Sequence, residues 1–352
     1  MKWAYAYLLL LLLTALGADF LARERPLLSY RDTQYIVTAP IPFDAAATDL
    51  MGLRYAPPLT LNRNGHRHWL GTDRLGRDTA AGLIAGARVA VFVGAGSVLL
   101  ALLIGLPLGA VAGFFGNDGL RVSRGGYWAA LLGLVLGSCY TYACLRPFAG
   151  GGVGGHLLVL WLLTVGASSC LLHLVLRILG RRFSGLRKPV ALPLDHLVLF
   201  FVEWWTSVPG LVVLVVLLAL IRTPTLWMIV AIIGTLGWPA IARFVRADLL
   251  RIRDLTYIDA ARISGVGGWR LLVQHALPNT FGPLAVVASF LVGSSILAEA
   301  SLSFLGLGLP ADQISWGSML QQSRIRPGAW WLAVFPGLLL TLTVLACNRL
   351  RA

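Results

Sequence analysis

Charged residues are scarce in this sequence, and their scarcity excludes an ordinary soluble protein. Asp, Glu, Lys and Arg make up 12% of the chain and hydrophobic residues 57%, whereas soluble domains carry about 25% charged residues. Apolar runs near the roughly 20 residues that a helix needs to cross a bilayer recur along the chain. They lie at 3–18, 89–113, 127–148, 156–179, 196–221, 225–242, 280–298 and 329–347. Because backbone polar groups in lipid must bond to one another, these runs predict eight transmembrane helices in an all-α polytopic membrane protein.

Lysine is almost absent, which excludes the commonest phosphate-binding loop. Lys2 and Lys188 are the only lysines, and neither follows the glycines of a Gly-x-x-x-x-Gly-Lys-Ser/Thr pattern. We therefore expect this chain to bind no ATP and no other cofactor.

Side chains suited to metal binding or catalysis are also few. All four cysteines fall in apolar runs without metal-type pairing, which predicts small packing residues: Cys139, Cys144, Cys170 and Cys347. His66 and His68 are two residues apart but lack an evident third ligand, so we predict no metal site. Glu203 lies within a predicted span, and Glu299 lies at the end of one. An acid in a span is costly, so each is a candidate for a transport pathway or a gate.

The net charge of +14 follows the membrane topology and does not indicate nucleic-acid binding. With the N-terminus placed in the cytoplasm, most basic residues outside 19–88 fall on the cytoplasmic side, as the positive-inside rule requires. They are Arg121, Arg124, Arg181, Arg182, Arg187, Lys188, Arg246, Arg251, Arg253, Arg262, Arg270, Arg349 and Arg351. The short connections at 149–155 and 222–224 carry only Arg222. Both termini are therefore predicted to be cytoplasmic.

A basic segment interrupted by glycines, DAARISGVGGWRLLVQHALP at 259–278, lies between two apolar runs. It resembles the cytoplasmic coupling loop of importer permeases of the ATP-binding-cassette (ABC) class, whose pattern is Glu-Ala-Ala, three residues, Gly, nine residues, Ile, any residue, Leu-Pro. The matching positions are Asp259, Ala260, Ala261, Gly265, His275, Leu277 and Pro278. Asp259 stands where the family has Glu, and His275 where it has Ile.

Local residue preferences predict the shape of this segment. Gly265 permits a left-handed turn, and Pro278 is expected to end the segment before the next span. Apolar residues at helical spacing predict one apolar stripe: Trp269, Leu272, Val273 and Ala276. Such a short helix fits a groove on another protein. From periodicity alone, an amphipathic helix at the membrane surface remains an alternative.

A second motif precedes the second span. His66–Asp78 reads HRHWLGTDRLGRD, in which Thr72 or Asp73 is expected to cap the following helix. This segment resembles the signature of the oligopeptide, dipeptide and nickel permeases of the ABC class. Its matching residues are Gly71, Thr72, Asp73, Gly76, Arg77 and Asp78.

The resemblance continues through the last four predicted spans. Glu203-x-x-x-x-x-Pro209 resembles the start of a core helix, with Glu203 where Asp is usual, and Pro209 is expected to kink it. Glu299, Ser303, Gly306 and Gly308 resemble the end of the C-type subunit. The family implies a type I ABC importer fold with six transmembrane helices, to which this chain would add two.

Residues 118–195 depart from the family pattern. Two additional apolar runs, a glycine-rich loop at 150–155 and a basic stretch at 181–188 occupy this region. We interpret them as an inserted helical hairpin with a basic linker, which leaves the orientation of later helices unchanged.

The expected organisation has five parts. A first transmembrane helix at 1–18, which also has features of a signal peptide, precedes an extracytoplasmic segment at 19–88. A first core-helix region at 89–117 and the inserted hairpin follow. The permease core occupies 196–348 and contains the coupling loop at 246–278.

The resemblance implies a non-catalytic inner-membrane permease that forms half of a translocation pathway, for di- or oligopeptides above all, with nickel and glutathione as alternatives. It implies a second permease subunit in a heterodimer, two ATPase subunits that bind ATP and Mg²⁺, and an extracytoplasmic solute-binding protein. A secondary transporter or a membrane enzyme is the alternative of another class, but neither midplane acids nor a nucleophile–base pair is evident.

Overall fold

The computed structural model describes most of the chain. The described residues are 2–23, 28–29, 36–37, 39–48, 54–62, 65–117, 119, 121–140, 142, 164–172, 174–176, 188–221, 224–310 and 313–350. The predicted glycine-rich loop at 150–155, Cys144, Arg351 and the basic residues at 181–187 lie outside them.

Helices dominate the described residues. In chain order they are α1 (Lys2–Leu16), α2 (Ala18–Leu21), α3 (Thr79–Phe115), α4 (Arg124–Tyr140), α5 (Thr164–Leu176), α6 (Leu194–Thr206), α7 (Gly210–Leu220), α8 (Leu226–Ile252), α9 (Thr256–Ile263), α10 (Gly268–Leu271), a π-helical turn (Leu272–Ala276), α11 (Leu277–Leu305), α12 (Trp316–Ile325) and α13 (Trp331–Arg349). Three short antiparallel pairs supply the strands: β1 (Leu28–Ser29) with β2 (Ile36–Val37), β3 (Thr60–Leu61) with β4 (Arg67–His68), and β5 (Arg121–Ser123) with β6 (Pro189–Ala191).

Four of the described helical stretches are long and apolar enough to cross a membrane. They are α3, α8, the continuous stretch Gly268–Leu305, and α13; the bent pair of α6 and α7 makes a fifth if it is one span. α1, α4 and α5 coincide with three further predicted runs but are shorter than 18 residues over their described lengths. The all-α polytopic class is therefore confirmed, whereas the number eight stays a prediction.

α3 and α8 run parallel and in close contact. Gly96 lies against Val230, Gly105 against Ile241 and Gly109 against Ala242. Residue numbers therefore increase in the same direction along both helices. Gly105 and Gly109 thus allow α3 and α8 to approach closely. A Cβ at Gly109 would lie 2.5 Å from the carbonyl oxygen of Ala242, so only glycine allows this approach.

α11 runs antiparallel to α3. Gly94 lies against Ile296, and Gly86, which is earlier in α3, lies against Trp316, which is beyond the end of α11. One end of this packed core therefore carries the beginning of α3, the end of α11, α12 and the beginning of α13; we call it the signature end. The opposite end carries the end of α8, the helices α9 and α10, and the beginning of α11; we call it the coupling end. α3, with 37 residues, is about 55 Å long.

Two groups of buried apolar side chains hold this unit together. One group joins α1, α3, α11, α12 and α13 around Trp316 and Trp331. The other joins α3, α7, α8 and α11 around Val93 and Ile229. α1 is also fixed along α13, because the hydroxyl of Tyr7 lies 2.9 Å from that of Thr343.

Val111–Val198 form a second compact unit. Within it α4 and α5 pack as a hairpin: Ser168 donates to the carbonyl of Gly133 (2.7 Å), and Thr164 donates to that of Gly137 (3.4 Å). The pairing of β5 with β6 closes the base of the hairpin. Gly133 and Gly137 face α5 directly, which allows this close contact.

Candidate functional site

The segment Asp259–Pro278, which we call the coupling segment, begins in α9 and turns at a left-handed glycine. Gly265 has φ +82°, so the predicted turn is confirmed. Its N–H donates to the carbonyl of Arg262 (3.0 Å), and the N–H of Val266 donates to that of Ala261 (3.2 Å). These two bonds cap the end of α9. No described atom lies within 4 Å of the position of an added Cβ, so glycine is required here by the backbone angle and not by crowding.

The second half of the coupling segment is continuous with α11. α10, the π-helical turn and α11 form one helical stretch over Gly268–Leu305. The prediction that Pro278 ends the segment is therefore wrong. Leu277 keeps a helical conformation (φ −60°, ψ −40°), and its N–H donates to the carbonyl of Leu272, five residues earlier. The missing N–H of Pro278 falls where the bonding pattern has already changed from α to π, so the helix continues through it.

The coupling segment has one face in the core and one face exposed. Its buried apolar residues are Ile258, just before the segment, Leu271, Leu272 and Ala276. Trp269 and Val273 point outward and are each 55% exposed, and Ile263 is 89% exposed. The predicted stripe is thus half wrong, since it placed Trp269 and Val273 beside Leu272. The prediction assumed α-helical spacing throughout, which the π turn over Leu272–Ala276 does not keep.

Asp259 and His275, which depart from the family pattern, have different surroundings. The carboxylate of Asp259 pairs with the guanidinium of Arg262 (2.9 Å), and both side chains are more than half exposed. His275 is half-buried in the π turn. Its Nδ1 is buried and has no hydrogen-bond partner among the described residues.

At the opposite end, His66–Asp78, which we call the signature segment, folds into two glycine turns. Gly71 (φ +81°) and Gly76 (φ +76°) are both left-handed. The carboxylate of Asp73 accepts the N–H groups of Leu75 (2.7 Å) and Arg77 (2.9 Å), which fixes the second turn.

The residue that caps α3 is Asp78, not Thr72 or Asp73 as predicted. Its Oδ1 accepts the N–H of Ala81 (2.9 Å), because Asp78 directly precedes the first residue of the helix. Thr72 accepts the N–H of Ala56 instead (2.8 Å).

Asp78 also pairs with a buried histidine. Nδ1 of His68 lies 2.8 Å from Oδ2 of Asp78, and its ring stacks on Phe43 at 4.2 Å. His66 contacts the edge of the same Phe43 ring. His66 and His68 thus both pack against Phe43. No group of three metal-ligating side chains occurs in the described part of the chain.

Two tryptophans that are distant in sequence, Trp316 and Trp331, hold the signature segment and the start of α3 in place. Nε1 of Trp331 donates to the carbonyl of Thr72 (3.1 Å), and Nε1 of Trp316 donates to that of Leu83 in α3 (2.9 Å). The side chain of Gln322 accepts the N–H of Arg74 (3.1 Å). The signature segment is therefore seated on α12 and on the beginning of α13. Nothing in the sequence identifies the partners of these two tryptophans.

The predicted residues at the end of α11 form a tight corner. Glu299 is only 2% exposed and accepts a hydrogen bond of 2.7 Å from Ser303. Gly306 ends the helix with φ +85°. An added Cβ at Gly308 would collide with Ser303. After this corner the chain therefore runs back close to the last turn of α11 before α12 begins.

The structure does not bring the two candidate acids together. α6 and α7 meet at 65°, with Pro209 immediately before α7, so the predicted kink is confirmed as a break. Glu203 is exposed on α6, whereas Glu299 is buried. Thr206, at the end of α6, accepts a hydrogen bond from Arg243 of α8 (2.8 Å).

A pocket of about 270 Å³ lies between α7, α8 and α11. Its walls are mostly apolar, with the hydroxyl-bearing residues Ser294, Ser295 and Ser301 along α11. An apolar cavity with a few polar groups is the usual form of a small-molecule site.

Comparison with known proteins gives a family match and several named relatives. Residues 191–351 match the sequence model of a family described as binding-protein-dependent transport system inner membrane component. The chain is 29% identical over 318 residues to a protein named as a peptide permease in Brucella suis biovar 1, covering 89% of this chain and 78% of the relative. It is 36% identical over 199 residues to a protein of the same organism named as a peptide transport system permease, covering 55% and 63%. It is 29% identical over 287 residues to a glutathione transport system permease protein of Pectobacterium atrosepticum, covering 80% and 69%.

The fold and these matches define a multi-pass membrane protein of the permease class. Residues 191–351 carry the inner membrane component domain of binding-protein-dependent transport systems, and these matches support an ABC importer permease.

Proposed function

We propose that this chain is one of two permease subunits of an importer and receives mechanical work from ATPase subunits through Asp259–Pro278. One observation carries the proposal: the coupling segment is anchored on one face and presents large apolar side chains on the other. Ile263, Trp269 and Val273 are exposed on short helices at the coupling end of the core. Covering one such side chain stabilises a complex by about 1.5–3 kcal/mol before other costs.

ATPase subunits are the proposed occupant of this surface. The chain has no phosphate-binding loop of the Gly-Lys-Ser/Thr type, so ATP and Mg²⁺ would be bound by the partners, and the chain itself would not be catalytic. A short helix with apolar outward residues fits a groove on a partner. The competing occupant is the membrane surface, since Arg262 and Arg270 accompany the apolar residues.

The test compares two exposed isoleucines at opposite ends of the core. Ile263→Asp is expected to abolish co-purification of the ATPase subunits, because it places a charge in the docking surface. Ile325→Asp, at the signature end, is the control and should retain the ATPase. If Ile263→Asp and Trp269→Asp variants still bind the ATPase fully but lose membrane attachment of the segment, the lipid surface is the occupant and the proposal is wrong.

We further propose that the coupling end and both termini face the cytoplasm. Support comes from the position of α9 and α10 directly after α8 and from the arginines in this region. The signature end would then face the solute-binding protein. With the native cysteines replaced, Ser264→Cys should react with a membrane-impermeant maleimide only in inside-out vesicles, and Gly328→Cys only in right-side-out vesicles. The reverse pattern would contradict the orientation.

For the cargo we propose di- or oligopeptides, with a second permease subunit completing the pathway. The support is the names of the relatives, and glutathione, named for one of them, is itself a tripeptide. Uptake of a labelled dipeptide should be competed by unlabelled peptides and not by nickel ions. Competition by nickel alone would favour the alternative cargo.

A further inference from the structure

We propose that Tyr257 and Asn279 are positioning residues that join the two halves of the coupling segment into one rigid element. This inference rests on the proposed function. α10 continues through the π turn into α11 as one helical stretch, but α9 is linked to α10 only by the turn at Gly265. That turn has φ +82° and no described atom within 4 Å of an added Cβ. A push on α9 would therefore be lost in rotation about the turn unless a second contact fixed α9 against α11.

A single side-chain contact provides this second link. The side-chain amide of Asn279, the third residue of α11, donates to the hydroxyl of Tyr257 in α9 (2.7 Å). The same amide donates to the main-chain carbonyl of His275 in the π turn (2.9 Å). One amide group thus holds α9, the π turn and the first turn of α11 at fixed separations.

The surroundings explain why a side chain makes these bonds. Pro278 has no N–H to offer to the preceding turn, and the π turn has already changed the helical register. The amide of Asn279 places its two N–H donors where the main-chain pattern is irregular. Ile258, the residue after Tyr257 in α9, is fully buried. α9 is therefore held by an apolar contact at Ile258 and by the polar contact of Tyr257, with Gly265 between α9 and α10.

The experiment uses the complete importer, with its ATPase subunits, second permease and binding protein, reconstituted in proteoliposomes. The measured quantity is peptide transported per ATP hydrolysed. Tyr257→Phe removes only the hydroxyl and is expected to lower this ratio about 2- to 10-fold, the range that corresponds to loss of one hydrogen bond. Tyr5→Phe, at an exposed tyrosine of α1, is the matched control and should leave the ratio unchanged.

Two substitutions of Asn279 separate its two bonds. Asn279→Leu removes both and should lower the ratio at least as much as Tyr257→Phe. Asn279→Asp can still accept a hydrogen bond from the Tyr257 hydroxyl but cannot donate to the His275 carbonyl. We expect it to lie between wild type and Asn279→Leu. The combination of Tyr257→Phe with Asn279→Leu should be no worse than Asn279→Leu alone, because both act through the same contact.

Co-purification of the ATPase and the thermal unfolding temperature are recorded for every variant, so that lost assembly or lost stability is not mistaken for lost coupling. The proposal is overturned if the Tyr257→Phe importer assembles normally and couples as well as wild type; the proposed function would then stand. If the wild-type chain binds no ATPase, both the proposed function and this inference are wrong.

Discussion

Replacing Gly265 by valine tests whether coupling depends on the left-handed turn in the coupling segment. The φ of +82° lies in a region that costs an L-residue roughly 1–2 kcal/mol, and a β-branched residue is especially unfavourable there. No steric collision adds to this cost, because no described atom lies within 4 Å of an added Cβ. The population of the native turn relative to alternatives should fall by a factor of about 5–30.

The assay is transport and ATP hydrolysis by the reconstituted importer. We expect the Gly265→Val importer to keep hydrolysing ATP while transport per ATP falls by about the same 5- to 30-fold factor, because α9 no longer leads into α10 at the native angle. Gly265→Asn should be intermediate, since asparagine adopts positive φ more readily than valine.

Gly267→Val is the matched control. Gly267 is two residues away and equally open, but its φ of −63° suits any residue. It should therefore couple like wild type. The reasoning is refuted if Gly265→Val couples normally, or if Gly267→Val is just as defective, since bulk and not backbone angle would then be the cause.

Three further predictions concern the packed core. Gly109→Leu should prevent the contact of α3 with α8 and lower the yield of folded protein in detergent, whereas Gly282→Leu, on an open face of α11, should not. Trp316→Phe removes the indole hydrogen bond to the carbonyl of Leu83 in α3 and should cost about 0.5–1.5 kcal/mol of unfolding free energy. Trp330→Phe, at a half-exposed tryptophan, should cost less, as thermal unfolding would show. Glu299→Leu should destabilise the corner at the end of α11 by about 1–3 kcal/mol, whereas Glu299→Gln keeps an acceptor for Ser303 and should be milder; equal losses would contradict this account.

Local chemistry predicted several features of the candidate sites correctly. Gly265 adopts the predicted positive φ, and the helix breaks before α7 at Pro209. Each outcome follows from the residue's own backbone preferences, which neighbours do not need to supply. The docking of the coupling segment on a partner stays a proposal.

The errors share one cause, which is competition among local preferences. Three residues of the signature segment could each cap α3, and Asp78 does so while Thr72 and Asp73 bond elsewhere. Pro278 was expected to end a helix, yet the preceding π turn lets the helix continue. That π turn also breaks the 3.6-residue spacing on which the predicted apolar stripe depended.

The sequence by itself determined the membrane class, the run of apolar helices and the resemblance to ABC importer permeases, because composition and motif spacing are properties of the chain alone. Only the tertiary structure decided which groups meet. Trp331 binds the carbonyl of Thr72, 259 residues away in sequence, and Asn279 links α9 to α11. The reason is physical: apolar burial specifies that a face must be covered, but packing geometry selects the partner, and hydrogen bonds form between the groups that this packing brings within reach.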